Sequence, residues 1–400
     1  MSQVQTRQSL AIVAALGLTQ IIGYGTLYYS FSILVPAMAR DVGLSEEGVF
    51  GTFSVALLAG GLAASFMGGW MDRFGAARMM ALGSGLCAAL LLACAWSPTV
   101  WFFIGAVIAT QVASGLVTYQ AAFATLVDHE PQGATRTITY LTLMAGFASS
   151  IFWPITKTLA EHFDWREIYV IFAALNLAVC LPVHLALARG RARRAALVLG
   201  ASPGAPVAGV LEPLQRRSAM IIVSIAFALS GFALSSLLIH MVPMLGALGL
   251  GAAAVTVSAL FGPAQVASRL VNMIFGERMP PTGLAMLSSA LIAFGGVILA
   301  LTDGNMAGAV VFVLCAGMGS GIGSIAQGSV PLHLFGSQGY GAIAGRMTSA
   351  RLVASAAAPA VFALAMERLG VPVSLFLNAG LGLLGMICFG LVSRSVRKSG

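Results

Sequence analysis

The chain has 400 residues, 58% of them hydrophobic and only 8% charged, with a formal net charge of +8. Soluble globular folds carry about a quarter charged side chains, so this composition excludes one and describes an integral membrane protein. The basic residues are spread over short loops and are not gathered with aromatics on one face, which argues against a nucleic-acid partner.

Apolar runs of about twenty residues, the length that crosses a bilayer, occur twelve times, at 9–38, 47–73, 77–96, 99–126, 134–160, 166–188, 218–245, 252–276, 283–301, 306–333, 341–366 and 372–393. Each is expected to be a helix, because open strands leave backbone groups unsatisfied in lipid. The N-terminus is short and polar and the first run is too long for a signal-peptide core, so it reads as a retained span. In span one, Gln20, Tyr24 and Tyr28 recur every four residues and are predicted to share a face, with Tyr29 beside them and Gly23 and Gly25 permitting close backbone approach. Such a face suits either boxing a cargo or packing helices. Cys87, Cys94, Cys180, Cys315 and Cys388 all fall in apolar runs without paired spacing, so no disulfide framework and no metal site is expected.

Between spans two and three stands a charged turn, Gly68, Asp72, Arg73, Gly75 and Arg78 in the pattern Gly-x-x-x-Asp-Arg-x-Gly-x-x-Arg. Its cationic excess places it on the cytoplasmic side, Gly75 lets the chain reverse, and Asp72 is expected to face the positive end of a neighbouring helix, the N-terminal turn of span eleven around Gly341 to Arg346. The pattern resembles the signature loop of the major facilitator superfamily. The resemblance implies an all-α membrane fold of twelve transmembrane helices in two pseudo-symmetric six-helix bundles. It gives a gating role to Asp72, Arg73, Gly75 and Arg78, to which Asp128 and Arg346 at other span ends are added.

Span four carries Tyr119 and Gln120, and span five Tyr140 and Trp153, all weaker candidates for cargo contact. Arg189 to Arg217 has linker composition, with Arg191, Arg193, Arg194, Pro203, Pro206 and Pro213, and divides the spans into bundles 1–189 and 218–400 joined by a cytoplasmic loop over 190–217. Basic residues concentrate on the side of this loop and of both termini, and only Arg40, Arg166 and Arg368 fall clearly outside. A shift of about 205 residues lays Asp72-Arg73 on Glu277-Arg278 and Pro154 on Pro359.

Span seven holds His240, a proton-coupling candidate whose alternative is a bond to a backbone carbonyl. Span eight holds Gln265 and Arg269. Arg269 precedes Glu277 by eight residues and so lies ~12 Å deep at about 1.5 Å per residue. Span ten carries Gly317, Gly319, Gly321 and Gly323, two small-x-x-x-small faces for close packing rather than a phosphate cradle, and Gln327. Arg351 lies ten residues into span eleven, ~15 Å deep by the same rise. The thirteen acidic residues all sit in loops or at span ends, so no carboxylate is in reach of either arginine by sequence and the expected counter-ion is the cargo.

The pair resembles the basic residues in spans eight and eleven of oxalate–formate exchangers, and Arg269 the span-eight arginine of monocarboxylate transporters. Those transporters place an Asp one turn earlier, where this chain has Gln265, which removes the proton carrier of simple symport. The exchangers carry a lysine where this chain has Arg351. The function expected is secondary transport of a small organic anion, by exchange or proton-linked, through a monomeric protein of the bacterial inner membrane with both termini cytoplasmic. It needs no cofactor. A multidrug or metabolite exporter of uncharged compounds is the alternative. Neither His-Glu-x-x-His nor Gly-x-Ser-x-Gly appears, so no enzyme is expected.

Overall fold

The protein is described by a computed structural model over residues 3–197, 206–276 and 279–397. Twelve helices are long and apolar enough to cross a membrane: α1 Ser9–Val42, α2 Glu46–Phe74, α3 Ala76–Ala95, α4 Val100–His129, α5 Ala134–Ala160, α6 Trp165–Gly190, α7 Pro213–Leu250, α8 Ala253–Phe275, α9 Pro281–Leu301, α10 Met306–Phe335, α11 Tyr340–Leu369 and α12 Val371–Val396. The fold is therefore all-α, as the runs require. Each helix stops where glycine, proline or a charge replaces the apolar run. Between α2 and α3 this takes a single residue, Gly75, whose φ of 91° is open to glycine alone at no steric cost.

Contacts divide the chain into two compact units, Met1–Ala208 with Gly336–Arg346, and Gly209–Phe335 with Met347–Gly400. Within the 190–217 segment, 190–197 continues the helix that starts at Leu181, and the part from 206 on runs without helix through an isolated bridge from Ala208 to Gly336 to a short 3-10 turn at Pro213–Gln215. The side chains of Arg191, Arg193 and Arg194, together with Pro203 and the Glu277-Arg278 echo, lie outside the described residues.

In the first unit the helices are not regular. α1 contains a π turn at Gly25–Tyr29, α6 another at Asn176–Cys180, and α4 breaks into turns over 115–118. Breaks release backbone carbonyls, which lipid does not hydrate, so side chains must answer them. Gln20 Nε2 donates to Val117 O at 2.7 Å, and Gln111 Nε2 to Leu27 O at 2.6 Å. These two buried amides therefore bridge α1 and α4 by repairing each other's interruption. Asn176 Nδ2 does the same between the two π turns, donating to Thr26 Oγ1 at 3.0 Å and to Phe172 O at 2.9 Å. Below this polar layer Phe31, Met38, Phe103, Trp165 and Phe172 form one apolar cluster.

The second unit is built on the glycines of α10. A Cβ on Gly317 would stand 2.5 Å from Phe261 O, and one on Gly319 2.9 Å from Ser288 O, so α8 and α9 approach the α10 backbone directly. Gly321 faces Gln265 O and Ser268 Oγ just as closely. The spacing thus reads correctly as packing on two faces. Because one of the obstructing atoms is the backbone oxygen of Gln265, which cannot swing aside as the Ser268 hydroxyl can, Gly321→Ala is expected to destabilise the protein by about 1–3 kcal/mol through overpacking. A lowered melting temperature in detergent checks this, with Gly262→Ala, which meets nothing within 4 Å, as the neutral control.

Candidate substrate-binding and gating residues

In the first unit the aromatics gather around the π turn. Tyr24 lies 4.9 Å from Tyr119 and 6.3 Å from Tyr29 between ring centroids, and Tyr29 lies 6.0 Å from Trp153. Trp153 Nε1 donates to Tyr29 O at 3.2 Å. The predicted face of Gln20, Tyr24 and Tyr28 is broken here. The π turn adds a residue to the coil, so Tyr29 instead of Tyr28 continues above Tyr24. Tyr28 turns against Phe53 at 5.7 Å and stays 41% exposed. Gln20 is fully buried on the Val117 carbonyl, and Gln120 Nε2 donates to Ala64 O at 3.0 Å, so both amides serve interhelical bonds.

In the second unit α8 and α10 form a polar ladder beside the glycine face. Gln265 Nε2 donates to Ser320 Oγ at 2.9 Å, and one turn on, Arg269 Nε donates to Ser324 Oγ at 3.2 Å. Ser324 Oγ donates its hydroxyl hydrogen bond to Gly321 O at 2.7 Å, which leaves its oxygen lone pairs free to accept from the arginine. Arg269 is 3% exposed, and among the described residues it is the one buried arginine, lysine or carboxylate. Its Nη1 has no hydrogen-bond partner there. A guanidinium has donors and no acceptor, so the Nη1 donors are left for a group that accepts.

Arg351 is half-buried, with its stem laid on α7 where a Cβ at Gly231 would come 2.6 Å from Arg351 Cγ. Glycine at 231 is what admits the arginine. His240 Nδ1 lies 3.0 Å from Ser236 O, so the ring is held on a backbone carbonyl of its own helix. Gln327 is half-buried on α10.

Asp72 Oδ1 accepts from Gly341 N and Oδ2 from Ala342 N, each at 2.8 Å. These are orphan donors of the first turn of α11, and a carboxylate is the group that the positive end of a helix favours. Gly68 and Gly345 make the approach possible, since a Cβ on Gly345 would fall 2.7 Å from Ala64 O. Arg73 lies over the Phe74 ring at 5.2 Å, and Arg78, Asp128 and Arg346 are exposed.

Three features escaped the sequence reading. Ser320 and Ser324 share the i, i+4 spacing of Gln265 and Arg269, a signal that was present but masked by the glycines between them. Gln111 and Asn176 are legible only once the helix breaks are known. His184, 1% exposed, sits between Ser84 Oγ at 2.7 Å and Thr19 Oγ1 at 3.1 Å, so the most deeply buried histidine is in α6 rather than His240 in α7.

The sequence profile described as Major Facilitator Superfamily matches residues 16–359. No curated protein matches the chain. Among solved structures, the human organic anion transporter TETRAN is similar at a TM-score of 0.71 and 16% identity, covering 96% of this chain and 99% of that one. The proton:xylose symporter XylE bound to 6-bromo-6-deoxy-D-glucose gives 0.69 and 13%, covering 95% of each chain. The E. coli fucose:proton symporter FucP gives 0.65 and 15%, covering 96% and 99%.

Proposed function

Because the chain belongs to the major facilitator superfamily, and its family and fold are those of membrane-embedded transporters, we propose that its cargo is a small organic anion, a mono- or dicarboxylate, moved by alternating access. Likeness at these identities sets the fold and leaves the cargo to the side chains, for the similar structures are described with organic anions and with sugars. The observation that carries the proposal is Arg269, a buried cation with one guanidinium nitrogen unpartnered among the described residues. An arginine inside a span costs roughly 2.5–3.5 kcal/mol on insertion scales, and a carboxylate offsets that cost with charge-assisted bonds. This supports a place beside the monocarboxylate transporters and oxalate–formate exchangers, with Arg351 as the second charge, Tyr24, Tyr119 and Trp153 as the aromatic wall, and Asp72 as part of the gate. The carrier acts as a monomer of the bacterial inner membrane with its termini in the cytoplasm, its bundles 1–189 and 218–400 working about the 190–217 loop.

The deciding experiment is a thermal-shift screen of purified protein against mono- and dicarboxylates, since a ligand that binds the folded state raises its melting point. A stabilising carboxylate supports the proposal. Stabilisation by uncharged compounds alone would replace it with the exporter.

Coupling follows from the same inventory. No carboxylate is buried among the described residues, and His240 is bonded to a backbone carbonyl, which favours exchange of one anion for another over proton symport. Counterflow in proteoliposomes is expected without a pH gradient, and His240→Gln is expected to leave it within about two-fold of wild type. A strict requirement for an inward proton gradient would overturn the exchange mechanism.

A further inference from the structure

The outer surface of the first unit carries a groove of about 560 Å3 between α3 and α6. On α3 its wall is Leu82, Gly85 and Leu86, and on α6 it is Leu181, Leu185 and Ala188. These positions recur at helical spacing, so each helix contributes one continuous apolar stripe. The floor is open at Gly85, where a Cβ would meet nothing within 4 Å. Leu82 is 60% exposed, as expected of a side chain facing hydrocarbon.

One end of the groove is different. Arg78 closes it, exposed, and its guanidinium has neither hydrogen bond nor ion pair among the described residues. Exposed Arg189 follows Ala188 at that same end, and no carboxylate lines the groove. From Arg78 to Leu86 the stripe is eight residues, ~12 Å at about 1.5 Å per residue, so it runs from the headgroup level into the hydrocarbon.

We propose that this groove is a binding site for a glycerophospholipid with an anionic head: one acyl chain lies along the Leu82 and Leu185 stripes, and the phosphate rests on Arg78. Basic pockets between spans at the cytoplasmic surface recognise such heads, and the anionic charge complements two cations that no protein carboxylate neutralises. A small water-soluble anion would find only Arg78 lining the groove, with exposed Arg189 beyond its rim, and no enclosure, which separates this site from the cargo site at Arg269. The proposal does not depend on the identity of the cargo.

Native mass spectrometry of the full chain, titrated with phosphatidylglycerol and with phosphatidylcholine of the same acyl chains, tests it. Wild type is expected to bind one phosphatidylglycerol at least about five-fold more tightly than phosphatidylcholine, the effect of one guanidinium at a bilayer surface. Arg78→Gln should bring phosphatidylglycerol to the level of phosphatidylcholine. Gly85→Phe should fill the groove and remove the tight site while the melting temperature of the lipid-free protein is retained. Equal binding of the two lipids by wild type would mean annular lipid only and overturn the proposal, as would undiminished phosphatidylglycerol binding in a folded Gly85→Phe protein. Should Gly85→Phe fail to fold, the Arg78→Gln comparison decides alone, and unchanged preference there refutes the site.

Discussion

Arg269→Gln is expected to weaken binding of the best carboxylate from the thermal-shift screen by at least ~10-fold, the lower bound for losing one charge-assisted bond of roughly 1.5–3 kcal/mol. Gln keeps a donor for Ser324 and much of the side-chain volume, so the α8–α10 ladder has the means to survive while the charge is lost. Arg269→Lys should restore only part of the affinity, because an ammonium is a point charge and does not reproduce the guanidinium fork. Ser324→Ala separates positioning from charge. It removes the acceptor that fixes Nε, and its effect should be smaller than that of Arg269→Gln and should fall on affinity without changing which anions bind. Calorimetry at fixed pH on the three variants makes the comparison. Full affinity in the Gln variant would show that the guanidinium does not hold the cargo, and the exporter of uncharged compounds would become the better account.

What the sequence disclosed divides along a physical line. Twelve spans were legible because lipid imposes a length and forbids charges, and those constraints are written residue by residue. The α10 glycines were legible for a similar reason, since small residues at i, i+4 have little use on a helix other than close approach. The π turn at Gly25–Tyr29 was not legible. Its neighbourhood looks like ordinary helix by composition, yet one added residue moves Tyr29 into line with Tyr24 and turns Tyr28 toward Phe53. The roles of Gln20, Gln111 and Gln120 were hidden for another reason: each answers a carbonyl on a different helix, and nothing local to the glutamine marks it. Asp72 shows the opposite case. A carboxylate against the N-terminal turn of span eleven is expected from its charge, and Asp72 does accept there, from Gly341 and Ala342.

That contact sets the last expected result. Gly68→Ala should slow transport by about 10-fold or more, whereas Gly69→Ala, one residue along, should leave it within about two-fold. The difference rests on space: a Cβ on Gly68 would overlap the Gly341 carbonyl, and a Cβ on Gly69 meets nothing within 4 Å. A backbone atom does not yield as a flexible side-chain end does, so the first turn of α11 must move off α2. Moving it separates Asp72 from the two amides it accepts, each 2.8 Å away. Asp72→Asn reaches the same state by chemistry instead of bulk. The amide keeps one acceptor oxygen but sets an NH2 against the second N–H and gives up the charge that the helix end favours. The loss of roughly 1.5–3 kcal/mol from that contact shifts the population holding it by about 10- to 150-fold. Cysteine placed at Arg346 should accordingly become more reactive to a polar maleimide in both Gly68→Ala and Asp72→Asn, and remain as in wild type in Gly69→Ala. Melting temperatures distinguish a lost latch from a damaged fold. Asp72→Asn should melt within a few degrees of wild type while its transport falls, because an exposed carboxylate contributes little to the core. Equal labelling and equal transport across all three variants would mean that the Asp72 contact caps a helix and gates nothing.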